Sequence, residues 1–282
     1  MVKQRTQWLK AILLLLLIFG AFISIIPFLY MVSHSLKTIA ETITRSSAIP
    51  FDPKFWPRVP QWSNYRVAWQ EARFGLYFRN SVIITAITVG GIVVTSCLSA
   101  YAFAKLRFRG RDLIFSILLA TLMIPQTVLL IPNFIIIAKL GWIDRLPALT
   151  VPFLASAFHI FLLRQFFSQI PDELIEVGKI DGATHLRTLI SIVVPLSKAP
   201  IFTVVFLSFI YTWNSLQWPL VVTQTPRWRP IAVGLSMFIT EAGPETHLRM
   251  AGAVIAVLPV ITMYFIAQRQ FTEAITRTGI KE

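Results

Sequence analysis

The sequence is poor in the residues that build disulfides, cysteine-based metal sites and soluble surfaces. Cys97 is the only cysteine among 282 residues, so neither an intrachain disulfide nor a cysteine metal site can form. Only 14% of the residues are charged, whereas about 25% is usual in soluble domains. Because 55% are hydrophobic and the mean hydropathy is +0.68, the composition indicates an integral membrane protein.

Motifs for phosphate binding, metal binding and hydrolysis are also missing. The chain has no G-x-x-x-x-G-K-[ST] loop, no H-E-x-x-H pair and no G-x-S-x-G elbow, and its four histidines are scattered. We therefore expect no catalytic residues, no metal and no cofactor in this chain. Buried carboxylates typical of ion-driven carriers are missing from the apolar runs, which leaves His159 as the one interior ionisable candidate. The energy for any transport would then enter from outside the chain.

The net charge of +13 at first suggests nucleic acid as a partner. However, the basic residues lie in the connections between apolar runs, so anionic membrane lipid is the expected partner and nucleic acid is not. Lysine and arginine are enriched at both ends of the chain and in two short connections, around 105–111 and 164–198. Because such residues favour the cytoplasmic side, this pattern places both termini in the cytoplasm.

Six apolar runs are long enough to cross a bilayer, which needs about 20 residues. They cover residues 9–32, 80–104, 112–131, 146–167, 200–222 and 250–267. The first run, a retained anchor, and the Pro- and Trp-rich segment after it form an N-terminal part at 1–79. The other five runs form a core at 80–282. Short helices outside the spans are expected at 64–71, 133–140 and 231–240.

A charged island at 171–196 separates the fourth and fifth apolar runs. Pro171 followed by Asp172 and Glu173 is typical of a helix start, and Gly182 permits a sharp turn. A second short helix is expected at about 184–192. Two short amphipathic helices at a membrane surface predict a docking element for a partner, the alternative being an ordinary surface loop.

Polar residues in and near the fifth run suit a neutral, hydroxyl-rich solute. Amide side chains bind hydroxyl groups, and tryptophan faces suit the C–H faces of sugars. At helical spacing Trp213, Asn214 and Gln217 would share one face. The alternative is an interfacial tryptophan belt with amide bonds between helices, and for His159 a hydrogen bond to a neighbouring helix. The candidate solute path consists of Trp213, Asn214, Gln217, Trp218, Gln126 and His159.

The charged island resembles the EAA loop of permease subunits in bacterial ABC importers. Its residues read Glu176-Val-Gly-Lys-Ile-Asp181-Gly182-Ala183, then Ile192-Val-Val-Pro195-Leu196, and the family form is E-A-A-x-x-D-G-A with I-x-x-P-L. The match departs at Val177 and Gly178, where the family prefers alanine. Asn80-Ser81, Arg107-Phe-Arg-Gly-Arg111 and Trp213-Asn214 are similar to the carbohydrate-importer branch, in particular to the second permease of glycerol-3-phosphate-, maltose- and trehalose-type systems.

The resemblance implies an all-α, six-span permease of the type I importer fold in the bacterial inner membrane. The implied partners are a second permease, with which it forms a heterodimer, two ATPases that bind ATP and Mg, and an external solute-binding protein. A coupling loop at 168–198 would dock on an ATPase through Glu176, Gly178, Asp181, Gly182 and Ala183. The solute would be a sugar, a polyol or a glycerophosphate. Alternatives are a permease for another solute class and a membrane assembly factor or enzyme subunit.

Overall fold

The computed structural model describes residues 2–44, 47, 49–70, 73–241 and 245–278. Every regular element in these ranges is helical, which agrees with the predicted all-α class. The helices are α1 (Val2–Ser35), α2 (Ile39–Thr44), α3 (Ser63–Gln70), α4 (Phe74–Lys105), α5 (Arg111–Ala120), α6 (Leu130–Lys139), α7 (Leu146–Thr150), α8 (Ala157–Ser168), α9 (Asp172–Ile180), α10 (His185–Thr188), α11 (Val194–Leu196), α12 (Lys198–Trp213), α13 (Gln217–Val222), α14 (Ile231–Glu241) and α15 (Thr246–Thr278).

Fewer continuous spans are present than the six apolar runs predicted. Within the described ranges, four segments are long and apolar enough to cross a membrane: Ile12–Ser35, Phe74–Lys105, Leu146–Ser168 and Thr246–Gln268. A fifth is present if the run His185–Leu196 and α12, which meet at 86°, are counted as one bent span. The first, second and sixth predicted spans thus lie in single long helices, whereas the third and fifth runs are interrupted and the fourth is divided into α7 and α8 by a 3₁₀ turn at Val151–Phe153.

The third run is interrupted at a proline. Helix α5 has only 10 residues and passes into a 3₁₀ turn at Thr121–Met123. Ile124 is then extended, with φ −84° and ψ 116°, because a residue before proline is disfavoured in the helical region. Pro125 itself lacks the N–H that would continue the helix. The helix begins again only at Leu130, so the continuous helix predicted over 112–131 is not formed.

The packing divides the chain into two compact units. The first comprises Met1–Gly75 and Gly234–Leu258, and the second comprises Leu76–Val233 and Pro259–Glu282. The predicted organisation into parts 1–79 and 80–282 describes membrane topology, and it stays a prediction.

In the first unit, side chains hold the segment that follows α1. Asn64 on α3 donates its amide hydrogens to the carbonyls of Ser35 and Lys37 at 2.9 and 2.8 Å. The Lys37 ammonium donates to the carbonyl of Lys54 at 2.9 Å, and Phe55 is fully buried. The short helix predicted at 64–71 is therefore present as α3, although Glu71 lies outside the described residues.

In the second unit, α4 packs closely against the break in the fourth apolar run. The carbonyl of Leu154, which lies between α7 and α8, accepts a hydrogen bond from the Thr95 hydroxyl at 2.7 Å. A Cβ atom at Gly91 would lie 2.4 Å from Cδ2 and 3.2 Å from Cβ of Leu154. The small residue at 91 therefore permits the approach, and the hydroxyl at 95 satisfies a carbonyl that the broken helix leaves free.

We expect a Gly91→Ala substitution to lower the free energy of unfolding by about 1–3 kcal/mol, because the added methyl group overpacks this contact. Thermal unfolding of the purified chain in detergent measures the effect. Gly90→Ala is the matched control, since a Cβ at Gly90 meets nothing within 4 Å. Its stability should be unchanged or higher, because alanine is favoured over glycine in helices by about 1 kcal/mol. Equal destabilisation of both variants would contradict the close approach at 91.

The connection between α13 and α14 is fixed by two side chains from elsewhere in the second unit. Asp144 accepts hydrogen bonds from the backbone N–H groups of Gln224 and Thr225, both at 3.1 Å, and from the Thr225 hydroxyl. Asn80 donates to the carbonyls of Arg227 and Arg229 at 3.0 Å each. Partial burial acts to raise the pKa of Asp144, but the hydrogen bonds from Thr225 and Gln224 outweigh it and hold the pKa below its usual value.

Candidate functional site: the hairpin at 171–196

Helix α9 and the run α10–α11 form a helical hairpin at 171–196. Helix α9 begins after Pro171 and carries Asp172 and Glu173 in its first turn, as the sequence predicts. At its end, the N–H of Gly182 bonds to the carbonyl of Lys179, and the N–H of Ala183 bonds to the carbonyl of Gly178. This pair of bonds is a Schellman motif, which requires a left-handed residue after the helix. Gly182 supplies it with φ +75°.

The second arm of the hairpin is longer than the predicted helix at 184–192. The Thr184 side chain caps α10 by accepting from the N–H of Arg187 at 3.3 Å. The chain then passes through a π-helical turn at Leu189–Val193 and continues through α11 to Leu196. Pro195 lies just after this π-helical turn, where the regular α-helical hydrogen bonding is already interrupted.

The hairpin is anchored to the helices of the second unit by apolar burial. Ile175 from the first arm, and Leu189 and Val193 from the second, belong to one buried cluster that also contains Tyr101 of α4 and Phe167 of α8. Both arms of the hairpin thereby pack against α4 and α8, which belong to candidate membrane spans. A movement of the hairpin would be transmitted to those helices through this contact.

One ion pair fixes the start of α9. Lys105, at the end of α4, donates to the carboxylate of Asp172 at 2.6 Å and to the carbonyl of Ile170. The Lys105 side chain is only 4% exposed, so this basic group is held between the end of a span and the hairpin. The hydrogen bond and charge of Lys105 hold the pKa of Asp172 below its usual value.

The outer face of the hairpin combines an acid with exposed apolar side chains. Glu176 is exposed and forms no ion pair with any residue in the described ranges. Val177 and Ile180 beside it are 56% and 84% exposed, and Leu186 and Ile190 on the second arm are also exposed. Exposed apolar side chains grouped around an acid have the composition of a protein interface with a hydrophobic centre and a polar rim.

The predicted docking residues do not all lie on this face. Glu176, Asp181 and Gly182 are exposed and Ala183 is half-buried, but Gly178 is buried between the arms. A Cβ at Gly178 would lie 2.9 Å from Cδ1 of Ile192. Gly178 therefore serves the contact between the two arms in this structure, and its side of α9 does not face outward.

The predicted path residues separate into exposed amides and buried tryptophans. Helix α12 ends at Trp213 and α13 begins at Gln217, so Trp213, Asn214 and Gln217 do not share one helix face as predicted. Asn214 and Gln217 are exposed. Trp213 is buried against Phe78 and Phe209, and the Trp218 indole donates to the carbonyl of Ala148 at 2.9 Å.

Gln126 and His159 have partners on α12. The Tyr211 hydroxyl donates to Oε1 of Gln126 at 2.6 Å, which brings the interrupted third and fifth runs together. Nε2 of His159 lies 3.4 Å from the Ser208 hydroxyl, as expected for a bond between neighbouring helices. Tyr211 therefore lies with the exposed polar residues near Gln126, although it is not among the predicted path residues.

Two residues that stabilise the hairpin are also absent from the predicted set: Lys105, which contacts the start of α9, and Thr184, which caps α10. A threonine directly after the turn at Gly182 is a recognisable helix cap.

The comparisons with known proteins agree with this geometry. The family model for the inner membrane component of binding-protein-dependent transport systems matches residues 91–277, well over half of the chain and all of the hairpin. The chain belongs to this family of ABC importer permeases. The permease is a transport subunit without its own ATPase site, and it works with a separate ATPase, another permease and a solute-binding protein.

The permease is also similar to curated relatives along most of its length. It is 35% identical to the sn-glycerol-3-phosphate transport system permease protein UgpE of Yersinia enterocolitica, over 92% of this chain and 93% of that protein. With UgpE of Rhizobium meliloti the identity is 38% over 72% of each chain. A crystal structure of a bacterial ABC transporter involved in import of the acidic polysaccharide alginate matches with a TM-score of 0.79 and 25% identity, over 93% of this chain and 96% of that chain. The prediction of an ABC importer permease in the inner membrane is confirmed.

Proposed function

We propose that this permease imports a hydroxyl-rich solute, a sugar, polyol or glycerophosphate, and receives its driving force through the 171–196 hairpin. The observation that carries the solute class is the 35% identity with a glycerol-3-phosphate permease over 92% of the chain. The observation that carries the coupling role is the outer face of the hairpin, which presents Glu176 among exposed apolar residues.

In this proposal the hairpin lies on the cytoplasmic side, together with both termini, and docks in a groove of one of two ATPases. Glu176 contacts a basic residue of the groove, and Val177 and Ile180 fill its apolar centre. ATP and Mg are bound by the ATPases. The turn at Asp181–Ala183 fixes the angle between the arms, and Gly178 keeps the arms close. A second permease pairs with this one as a heterodimer, and a binding protein delivers the solute from outside.

The solute path proposed for this chain follows the exposed polar side chains Gln126, Tyr211, Asn214 and Gln217. They offer amide and hydroxyl groups that suit the hydroxyls of a neutral or polyol-like solute. Tyr211 is 54% exposed, and its bond to Oε1 of Gln126 leaves the Gln126 amide hydrogens available. Trp213 and Trp218 are buried, so stacking of a sugar on their faces is not part of the proposal. A phosphate group would be met by the other permease or by helix N-termini.

Uptake by cells that contain the whole importer tests the solute class. Labelled glycerol 3-phosphate is the first probe, and maltose, trehalose and glycerol are the competitors. We expect one member of this panel to accumulate only when this permease is present, and Asn214→Ala to raise its KM several-fold. Gln224→Ala is the control, since Gln224 is an exposed glutamine on the connection after α13. Transport of amino acids or peptides, with no member of the panel taken up, would contradict the proposal.

A further inference from the structure

A narrow recess lies inside the second unit where α4, α12 and α13 meet. Thr85 and Thr88 of α4, Thr212 of α12, and Ser215 and Trp218 are among its lining residues. The centre of a water molecule can occupy about 20 Å³ of this recess. About 10–15 Å³ on this measure is enough for one water molecule. The recess therefore has the size of a water site and is far too small for a sugar or polyol.

Three hydroxyl groups in the recess are buried without a hydrogen-bond partner among the described protein atoms. They belong to Thr85, Thr88 and Thr212, and Thr88 is only 1% exposed. Threonines elsewhere in this unit behave differently: Thr150 and Thr203 donate to the carbonyls four residues earlier, both at 3.1 Å. Because a buried hydroxyl without a partner is destabilising, three at one recess point to a ligand that bonds all of them.

We propose that the recess binds a water molecule that bridges α4 to α12 through the hydroxyls of Thr85, Thr88 and Thr212. A water molecule both donates and accepts, so it can satisfy several hydroxyls at once, as buried waters in proteins commonly do. The recess also borders Tyr211 and Ser215, which are exposed and half-buried and give the water a way in from the surface. The site lies beside the break at 214–216, so the water joins α4 to the end of the interrupted helix.

Replacement of threonine by valine distinguishes a hydrated recess from a dry one. In a dry recess Thr88→Val removes an unpartnered hydroxyl at nearly constant volume, so the Tm of the full-length chain, purified with its bound subunits, stays the same or rises. If the water is present, the variant loses a bond to it, and we expect the Tm to fall by about 2–4 °C. The Tm of the double variant Thr88→Val/Thr212→Val should fall by less than the sum of the two single decreases, because both substitutions remove bonds to the same water.

Thr95→Val is the positive control, since its hydroxyl bonds directly to the Leu154 carbonyl and its Tm should fall in either case. Hydroxyl-radical footprinting of the parent protein and of Thr88→Val gives a second readout. Thr88→Val should slow the oxidation of Trp218, which borders the recess, and leave that of Trp213, which does not, unchanged. An unchanged or higher Tm for Thr88→Val, strict additivity in the double variant, or unchanged oxidation of Trp218 would overturn the water site.

Discussion

A Glu176→Lys permease is expected to reach the membrane in normal amounts and to transport no measurable solute. Glu176 is exposed on the outer face of the hairpin, has no ion-pair partner among the described residues and is surrounded by exposed Val177 and Ile180. The substitution therefore breaks no ion pair in the part of the chain that the structure describes. Once an ATPase covers this face, however, the charge is desolvated, and loss of one partner of such a pair costs about 2–5 kcal/mol or more. In the proposed complex, reversal of the charge would also place a lysine against the basic residue of the ATPase groove.

The measurements are solute uptake and the amount of ATPase that co-purifies with the permease after gentle extraction. A loss of about 2–5 kcal/mol corresponds to at least about thirtyfold weaker association. Uptake and co-purified ATPase for Glu176→Gln should lie between the values for the parent and the lysine variant, because glutamine removes the charge and keeps the shape and hydrogen bonding. Asp172→Asn serves as a contrast within the same helix, since Asp172 pairs internally with Lys105. Normal uptake by the Glu176→Lys variant would refute the docking role of this face.

The parts of the structure that the sequence predicts well are those with local signals. Long apolar runs predict α1, α4 and α15 because each must satisfy its backbone within a single helix. The hairpin has signals at each boundary: a proline and two acids at the start of α9, Gly182 at the turn, and Thr184 as the next cap. Such signals act over three or four residues and do not depend on the rest of the fold.

Among the parts that the predicted spans miss, the helix breaks have local causes, and the others depend on contacts between distant residues. Pro125 is a local reason for the break in the third run, but a hydropathy pattern alone does not predict this break. The break at 214–216 has a similar local reason in Pro219, whose ring would clash with the carbonyl of Ser215 if α12 and α13 were one continuous helix. The inward position of Gly178 depends on Ile192 across the hairpin, and the bond between Tyr211 and Gln126 joins residues 85 positions apart. A helical periodicity alone cannot show which side of α9 faces the partner.

Gly182→Val should uncouple the permease from its ATPase through the backbone alone. Gly182 has φ +75°, and a Cβ added there meets nothing within 4 Å, so valine fits the space but not the conformation. A left-handed conformation costs a residue with a side chain roughly 1–2 kcal/mol, and β-branched residues are the least tolerant of it. The Schellman bonds from Gly182 and Ala183 would then weaken, and the angle between the second arm and α9 would change.

Gly182→Asn separates this explanation from a simple effect of side-chain size. Asparagine is close to valine in volume, yet it adopts the left-handed region far more readily. We expect uptake to fall about 5–30-fold for the valine variant, which corresponds to one or two kcal/mol, and to stay near the parent level for the asparagine variant. Uptake and ATPase co-purification should change together, because the turn sets the geometry of the docked arms. If both variants lost activity equally, the exposed surface at 182 would be what the ATPase requires, and the backbone conformation would not be the cause.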